Sequence, residues 1–246
     1  MRAMILAAGR GERMRPLTDT LPKPLLPAAG KPLIAWHIER LVTAGIRDIV
    51  INHAWLGQLI EEHLGDGRRY GARISYSPET RALETAGGIV QALDFFRGEP
   101  FLVVNGDIWC DWNPAEALRL GPKLAAQGRL AWLLLVPNPP HHPRGDFALQ
   151  PDGSLRDPGA LAPQAGAGPD TPLYTFSGIG VYRPELFAGM EKGQPAPLGP
   201  LLRQAMQAGR VAGRVHDGVW MDVGTPERLR EVDSMGAKVD LARRQR

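Results

Sequence analysis

One cysteine, Cys110, in 246 residues excludes a disulfide within the chain and points to a reducing compartment. No apolar run reaches the roughly 20 residues of a membrane span, and the amino terminus enters a strand-like segment without a charged and then apolar leader. No membrane partner and a cytoplasmic location are therefore expected. Net charge is scarce too, with 29 Lys and Arg against 26 Asp and Glu. Lys238, Arg243, Arg244 and Arg246 against Asp240 account for that whole excess, so the pI of about 9.2 belongs to residues 236–246 and the rest of the chain is neutral. A short basic end of this kind is expected to fray, and no nucleic-acid partner is implied. There is no internal repeat. There is no Gly-Lys-Ser/Thr loop end and no third glycine after Gly9 and Gly11, which excludes a P-loop and a dinucleotide fingerprint.

What is present lies first in residues 7–27. Ala3, Met4, Ile5 and Leu6 form a short apolar run, and Gly9 and Gly11 follow directly. Such a run bounded by glycine is strand-like, and the glycines let the backbone turn close to a ligand with no Cβ in the way. Exposed amides in a turn of this type attract anions, and Arg10, Arg13 and Arg15 add positive charge. Lys23 is braced by Pro22 and Pro24, which restrict the backbone on both sides of one cation. The segment is suited to phosphate.

The first half alternates strand-like and helix-like segments, the pattern of a parallel sheet wrapped by helices. Helices are expected from Pro32 to Gly45, around Leu56 to Leu64, over 84–96 and over 114–126; strands are expected at 49–51, 73–77, 101–104 and 130–136. The second half differs, with a hairpin around Pro151-Asp-Gly153, an irregular loop or lid over 157–172, a strand over 174–182, and helices over 200–208 and 226–232. Ligands of open parallel sheets bind beyond the carboxyl ends of strands. Gly9, the segment from Glu79 to Gly88, and Asp107 each follow an expected strand, so they should share one edge.

Four ordered segments carry a family resemblance: Leu6 to Arg13 with Pro22-Lys23-Pro24; Leu83-Glu-Thr-Ala-Gly-Gly-Ile89; Val104-Asn-Gly-Asp107; and Trp220-Met-Asp-Val-Gly-Thr-Pro226. In these the chain resembles the sugar-1-phosphate nucleotidyltransferases over residues 1 to about 230. The resemblance implies an α/β fold, a Rossmann-like three-layer sandwich with a mainly parallel central sheet and a small β-rich sugar-binding half. It implies one domain over 1–235, with a nucleotide-binding half over about 1–112 and a sugar-binding half over about 113–235.

The implied activity is attack of a sugar 1-phosphate on the α-phosphorus of a nucleoside triphosphate with Mg²⁺ as cofactor. Asp107 and Asp222 are the implied metal ligands, and Arg13 and Lys23 the implied catalytic cations. Ala8, Gly9, Gly11, Glu12, Arg13, Lys23, Glu79, Thr85, Gly87 and Asn105 are the implied nucleotide site, and Asn105, Gly145, Ser177 and Gly224 the implied sugar site. A sugar phosphate is already ionised near neutral pH, so no general base is required, and no Ser-His-Asp or Cys-His arrangement is expected. His141 and His142 read as loop residues.

Two departures from the family pattern are visible. Glu84 stands where relatives often carry glycine, and Arg156-Asp157-Pro158 replaces a Glu-Lys-Pro element. Within the family the segments 51–56, 83–85, 141–147 and 175–178 resemble short uridylyltransferases acting on N-acetylmuramic acid 1-phosphate, which implies UTP as the second substrate. Guanylyltransferases of mannose 1-phosphate and uridylyl- or thymidylyltransferases of glucose 1-phosphate are the alternatives within the family. A non-catalytic sugar-nucleotide-binding domain is the alternative from another class, and it would be expected to lose Arg13, Lys23 or Asp107.

Overall fold

The computed structural model describes residues 1–160 and 172–244, so most of the 157–172 loop lies outside the described residues. In chain order the strands are β1 (Arg2–Leu6), β2 (Pro27–Ala28), β3 (Lys31–Pro32), β4 (Asp48–His53), β5 (Arg73–Pro78), β6 (Phe101–Asn105), β7 (Ile108–Cys110), β8 (Ala131–Val136), β9 (Phe147–Leu149), β10 (Leu155–Arg156), β11 (Leu173–Tyr182), β12 (Val211–Val215) and β13 (Trp220–Asp222). The α-helices are α1 (Leu33–Thr43), α2 (Gly57–Leu64), α3 (Glu84–Gln91), α4 (Ala117–Ala126), α5 (Leu198–Gln207) and α6 (Pro226–Arg244). The fold is α/β, and two compact units interleave along the chain. An amino-terminal unit takes Ala3–Ala82, Val104–Pro114 and Val219–Arg246; a central unit takes Met1–Arg2, Leu83–Val103 and Ala115–Gly218. The sequence reading divides the chain once, near residue 112.

In the amino-terminal unit β1, β4 and β5 run parallel, with Leu6 opposite Asn52 and Asn52 opposite Ser77. Ile49, Val50 and Ile51 are buried, as a strand covered on both faces requires. Parallel register places the carboxyl ends of all three strands at one edge, where the loop after Leu6, the segment after His53, and Glu79 emerge. α1 turns Leu33, Ile34, Ile38 and Leu41 inward at helical spacing. Gly57 opens α2 because a Cβ there would lie 1.9 Å from His53 Nδ1. His53 Nε2 in turn meets Glu61 at 2.7 Å, tying the strand end to the helix it leads into.

A second pairing builds the rest of this unit. β7 and β13 are antiparallel, with Trp220 opposite Cys110 and Asp222 opposite Ile108. Trp109 and Val223 join Met14, Leu26, Leu33, Leu229 and Val232 in one buried cluster. Neither three-residue strand has an apolar alternation long enough to be expected from sequence, and neither is among the expected strands. α6 continues well past Val232, where the apolar spacing stops, and its backbone is helical to Arg244.

The central unit is mixed. β8 is buried along its whole length, antiparallel to β11 and parallel to β12. The expected hairpin is present, with Leu155 opposite Leu149, and β9 also pairs antiparallel with β11. Phe96 stacks on Phe101 at 3.8 Å between ring centroids, and Tyr182 and Phe187 complete this aromatic core.

His37 on α1 is buried, its Nε2 without a hydrogen-bond partner among the described residues. Burial first, and then the charge of Arg40, lower its pKa to about 4, against the opposing pull of Asp107 and a backbone bond to Ile108. An unfolded imidazole takes its proton near pH 6.5, so between that value and about 4 the unfolded chain binds more protons than the folded one. This contribution to stability is complete above pH 6.5 and is lost as the pH falls towards 4, and it corresponds to roughly 3 kcal/mol. Urea midpoints of the wild type are expected to fall between pH 7 and 4.5 more steeply than those of His37→Gln. Parallel profiles would show that His37 is not the group responsible.

Candidate active site

Eleven of the residues singled out from sequence lie in the amino-terminal unit: Ala8, Gly9, Gly11, Glu12, Arg13, Lys23, Glu79, Asn105, Asp107, Asp222 and Gly224. Thr85, Gly87, Gly145 and Ser177 lie in the central unit.

Gly11 has φ +70, a conformation that a Cβ resists, and a Cβ there would also sit 3.3 Å from Lys23 Cβ. The lysine stem is thus laid along the glycine loop. Thr18 Oγ1 donates to Gly11 O at 2.9 Å and holds the loop from the other side. The Pro-Lys-Pro segment is a single 3₁₀ turn with Lys23, Pro24 and Leu25 buried, and it delivers Lys23 Nζ to Asp107 Oδ2 at 2.7 Å. Lys23 is 9% exposed and Asp107 43%, so the pair has its cation inside and its carboxylate at the surface.

The three arginines of the loop separate. Arg10 lies over the Trp55 ring at 3.6 Å and donates to Thr18 O, which also accepts from Trp55 Nε1. Arg15 pairs with Asp19 at 2.8 Å in an exposed i,i+4 contact, a weak interaction. Arg13 reaches Gly224, where its Nη2 lies 2.9 Å from the place a Cβ would take. Nη2 of Arg228 lies at the same distance from that place, so two guanidinium groups flank one glycine.

β7 and β13 bring the two aspartates together. Asp222 faces Ile108 across the ladder, and Val223 N–H donates to Asp107 O at 2.7 Å, which places residues 107 and 222 at the same end of the pair. Arg228 forms an ion pair with Asp222. Each aspartate therefore holds a cation of the protein itself. Carboxylate oxygens are hard donors, so a pair of them suits a hard divalent ion better than a thiophilic one. Cys110, next along β7, has its thiol pushed up to about 11 by burial and offers no thiolate near neutral pH.

Gly106 fixes the approach of this aspartate. Its N–H donates to Leu6 O at 2.8 Å, and a Cβ would lie 2.6 Å from that same oxygen. Beneath the glycine loop lies a relay that sequence reasoning missed. Ala7 N–H donates to Asn52 Oδ1 at 2.9 Å, and Asn52 Nδ2 donates to Glu79 Oε1 at 2.7 Å. Asn52 and Glu79 are both buried. One amide side chain thus joins the ends of β1, β4 and β5, and the polar residue at the end of the Ile49-Val50-Ile51 run was its only signal.

In the central unit several expected residues have structural work of their own. Gly87 is needed where the chain passes close by, since a Cβ would lie 2.5 Å from Gln194 O, and its amide donates to Ala196 O at 3.1 Å. Glu84 has φ +58, in the left-handed region, a conformation that glycine adopts without strain. Gly145 has φ +67, and a Cβ would lie 2.6 Å from Asn138 Oδ1. Asn138 is a hub, donating to Leu173 O and accepting from Thr175 Oγ1, both at 2.9 Å. His142 meets Asp146, whose other oxygen accepts from Phe176 N–H. Ser177 lies in the irregular stretch of β11 between Phe176 and Gly180, 1% exposed, with Oγ accepting from Ile179 N–H.

A nested glycine loop, a braced lysine on an aspartate, and a second aspartate delivered by a late strand define a protein that handles nucleotide phosphates. The chain belongs to the nucleotidyl transferase family, whose model matches residues 2–153. It is 56% identical over 96% of its length to an N-acetylmuramate alpha-1-phosphate uridylyltransferase of Neisseria meningitidis, of which 98% is covered. A second protein of that name, from Caulobacter vibrioides, is 36% identical with 92% of each chain covered. In fold the chain resembles a Bacillus anthracis protein assigned as a glucose-1-phosphate thymidylyltransferase, with a TM-score of 0.78 at 21% identity over 96% of this chain and 95% of that one. The family accounts for the α/β three-layer architecture with its mostly parallel sheet.

Replacing Asn52 by alanine removes one partner each from the Ala7 amide and the buried Glu79 carboxylate. The expected loss of stability is about 2–3 kcal/mol, the range for charge-assisted bonds in buried positions. Chemical denaturation measures it directly; a change below about 0.5 kcal/mol, ordinary for surface positions, would mean that the relay is not structural.

Proposed function

We propose that the chain transfers UMP from UTP to N-acetylmuramic acid α-1-phosphate, giving UDP-N-acetylmuramic acid and pyrophosphate. The observation that carries the chemistry is the gathering of Lys23, Asp107, Asp222, Arg13 and Arg228 around one strand pair and one glycine loop. The base and the sugar follow the two uridylyltransferases to which the chain is similar over almost their whole lengths.

Gly9 supports a ligand at the loop. Its backbone is outside the left-handed region and a Cβ there would meet nothing within 4 Å among the described residues, which themselves make no demand for glycine. A phosphate lying on the loop does. In this reading the amides of residues 8–12 and the guanidinium of Arg13 hold the β- and γ-phosphates, with Asn105, Glu79, Thr85 and Gly87 contributing to the nucleotide side. Gly145, Ser177 and Gly224 belong to the sugar side.

An oxygen of the sugar phosphate attacks the α-phosphorus, the new P–O bond forms, and the bond to the bridging oxygen of the β-phosphate breaks with its electron pair leaving on pyrophosphate. Arg13 meets the charge that grows on the leaving group, and its planar fork suits phosphate oxygens. Lys23 moves from Asp107 to the α-phosphate or the incoming sugar phosphate, which its flexible stem permits. Mg²⁺ held by Asp107 and Asp222 would offset the crowding of negative charge and help align the reacting groups. The nucleophile arrives ionised, so alignment and electrostatics supply the rate without a proton acceptor. The reaction belongs to recycling of cell-wall sugar in the cytoplasm.

Pyrophosphate release, measured with UTP, dTTP, GTP or CTP against several sugar 1-phosphates, tests this reading. Turnover is expected to be greatest with UTP and N-acetylmuramic acid 1-phosphate, and to require Mg²⁺. Equal or faster turnover with GTP and mannose 1-phosphate would overturn the assignment. Asp107→Ala should lower kcat by at least roughly 10²-fold, and its thermal midpoint should fall because the buried Lys23 ammonium loses its partner, while the protein stays folded at the assay temperature.

A further inference from the structure

Arg228 is placed where the fold alone gives little reason for a cation. It lies in the first turn of α6, where the positive end of the helix dipole disfavours it. It shares Gly224 with the guanidinium of Arg13, a like charge. Against these costs stands its ion pair with Asp222, in which the arginine is 15% exposed and the aspartate 23%. The sequence gives no hint of this, because Arg228 is one of several charged residues, with Glu227, Arg230 and Glu231, in an expected helix.

The geometry points to Arg228 as a phosphate-binding residue that is held on Asp222 until a divalent ion and a polyphosphate arrive together. This rests on the nucleotidyltransferase reading. Asp222 then exchanges its guanidinium for the metal ion, and the freed fork of Arg228 joins Arg13 on the oxygens of the pyrophosphate group. No covalent bond changes in this exchange. Metal alone would strand Arg228 beside Arg13 with no anion between them, and polyphosphate alone would have to draw Arg228 away from Asp222 without replacing it. Each ligand therefore strengthens the other, and by the same factor, as thermodynamic linkage requires. Lys23 on Asp107 is the parallel arrangement on the other carboxylate.

Mn²⁺ titration followed by electron paramagnetic resonance, with and without inorganic pyrophosphate, tests the exchange on the full chain. Wild type is expected to bind Mn²⁺ weakly alone and more tightly with pyrophosphate. Arg228→Gln should bind Mn²⁺ alone about tenfold more tightly, because the competing cation is gone, and should bind pyrophosphate in saturating Mn²⁺ about tenfold more weakly. An arginine that merely held the turn at 222–226 would, on removal, weaken both affinities, and that outcome overturns the inference. Unchanged pyrophosphate affinity overturns it equally.

Arg228→Lys keeps the charge without the fork and is expected to fall between wild type and the glutamine variant for pyrophosphate. It carries the same comparison if the glutamine variant fails to give a cooperative melt, and binding no better than with glutamine in the folded pair counts against the charge pairing. A wild type that binds no Mn²⁺ and releases no pyrophosphate with any substrate pair would refute the nucleotidyltransferase reading itself. An active wild type with an indifferent Arg228→Gln would refute only the part given to Arg228.

Discussion

The pairing of β7 with β13 is the constraint on which the site depends. It joins residues more than a hundred positions apart, and its register sets Asp222 opposite Ile108 and the Val223 N–H on Asp107 O, so that both aspartates stand at one end of the ladder. Three residues per strand cannot hold such a ladder in water. The buried cluster of Met14, Leu26, Leu33, Trp109, Val223, Leu229 and Val232 does so by packing the glycine loop, the start of α1, both strands and α6 against one another. Met14 and Leu229 bring Arg13 and Arg228 with them, since each arginine is the neighbour of an anchored apolar residue.

Charge compensation shapes what that pairing assembles. Lys23 is mostly buried, and a buried ammonium without a partner is costly. Asp107 supplies the partner while remaining open to solvent on its own side. At Asp222 and Arg228 both partners are largely covered. Opposite charges matched in this way leave Arg13 exposed beside a second guanidinium, where the proposed reading places the leaving phosphates. Arg10 is occupied otherwise, stacked on Trp55 and bonded to Thr18 O, so it stiffens the loop from behind.

Much of the fold was legible because it rests on local patterns. The buried run 3–6, the helical spacing after Pro32 and after Leu56, and the turn at 151–153 each carry their signal within a few residues, and the structure places elements there. The loop and the Pro-Lys-Pro segment were legible for the same reason. What escaped depends on distant partners. β7, β12 and β13 are too short or too irregular in pattern to declare themselves. Asn52 looks like any polar end of a strand until its two neighbours are in place. Arg228 looks like a solvated helix residue until α6 is docked. Glu84, noted only as a departure, proves to occupy a backbone conformation that glycine adopts without strain.

The glycines show how the demands of folding and of ligand binding can be separated within one motif. Gly11 is required by the chain itself, through a positive φ and the nearness of Lys23 and Thr18. Gly106 is required by the carbonyl of Leu6, and Gly87 by that of Gln194. At Gly224 a larger residue would displace only the far ends of two flexible arginine side chains. Gly9 alone among these has open space where a Cβ would stand and no unusual φ. A residue that the folded chain would tolerate with a side chain, yet which stands at the mouth of a loop lined by amides and arginines, is explained by what approaches from outside. On the proposed nucleotide reading, the loop owes Gly11 to its own closure and Gly9 to the phosphate.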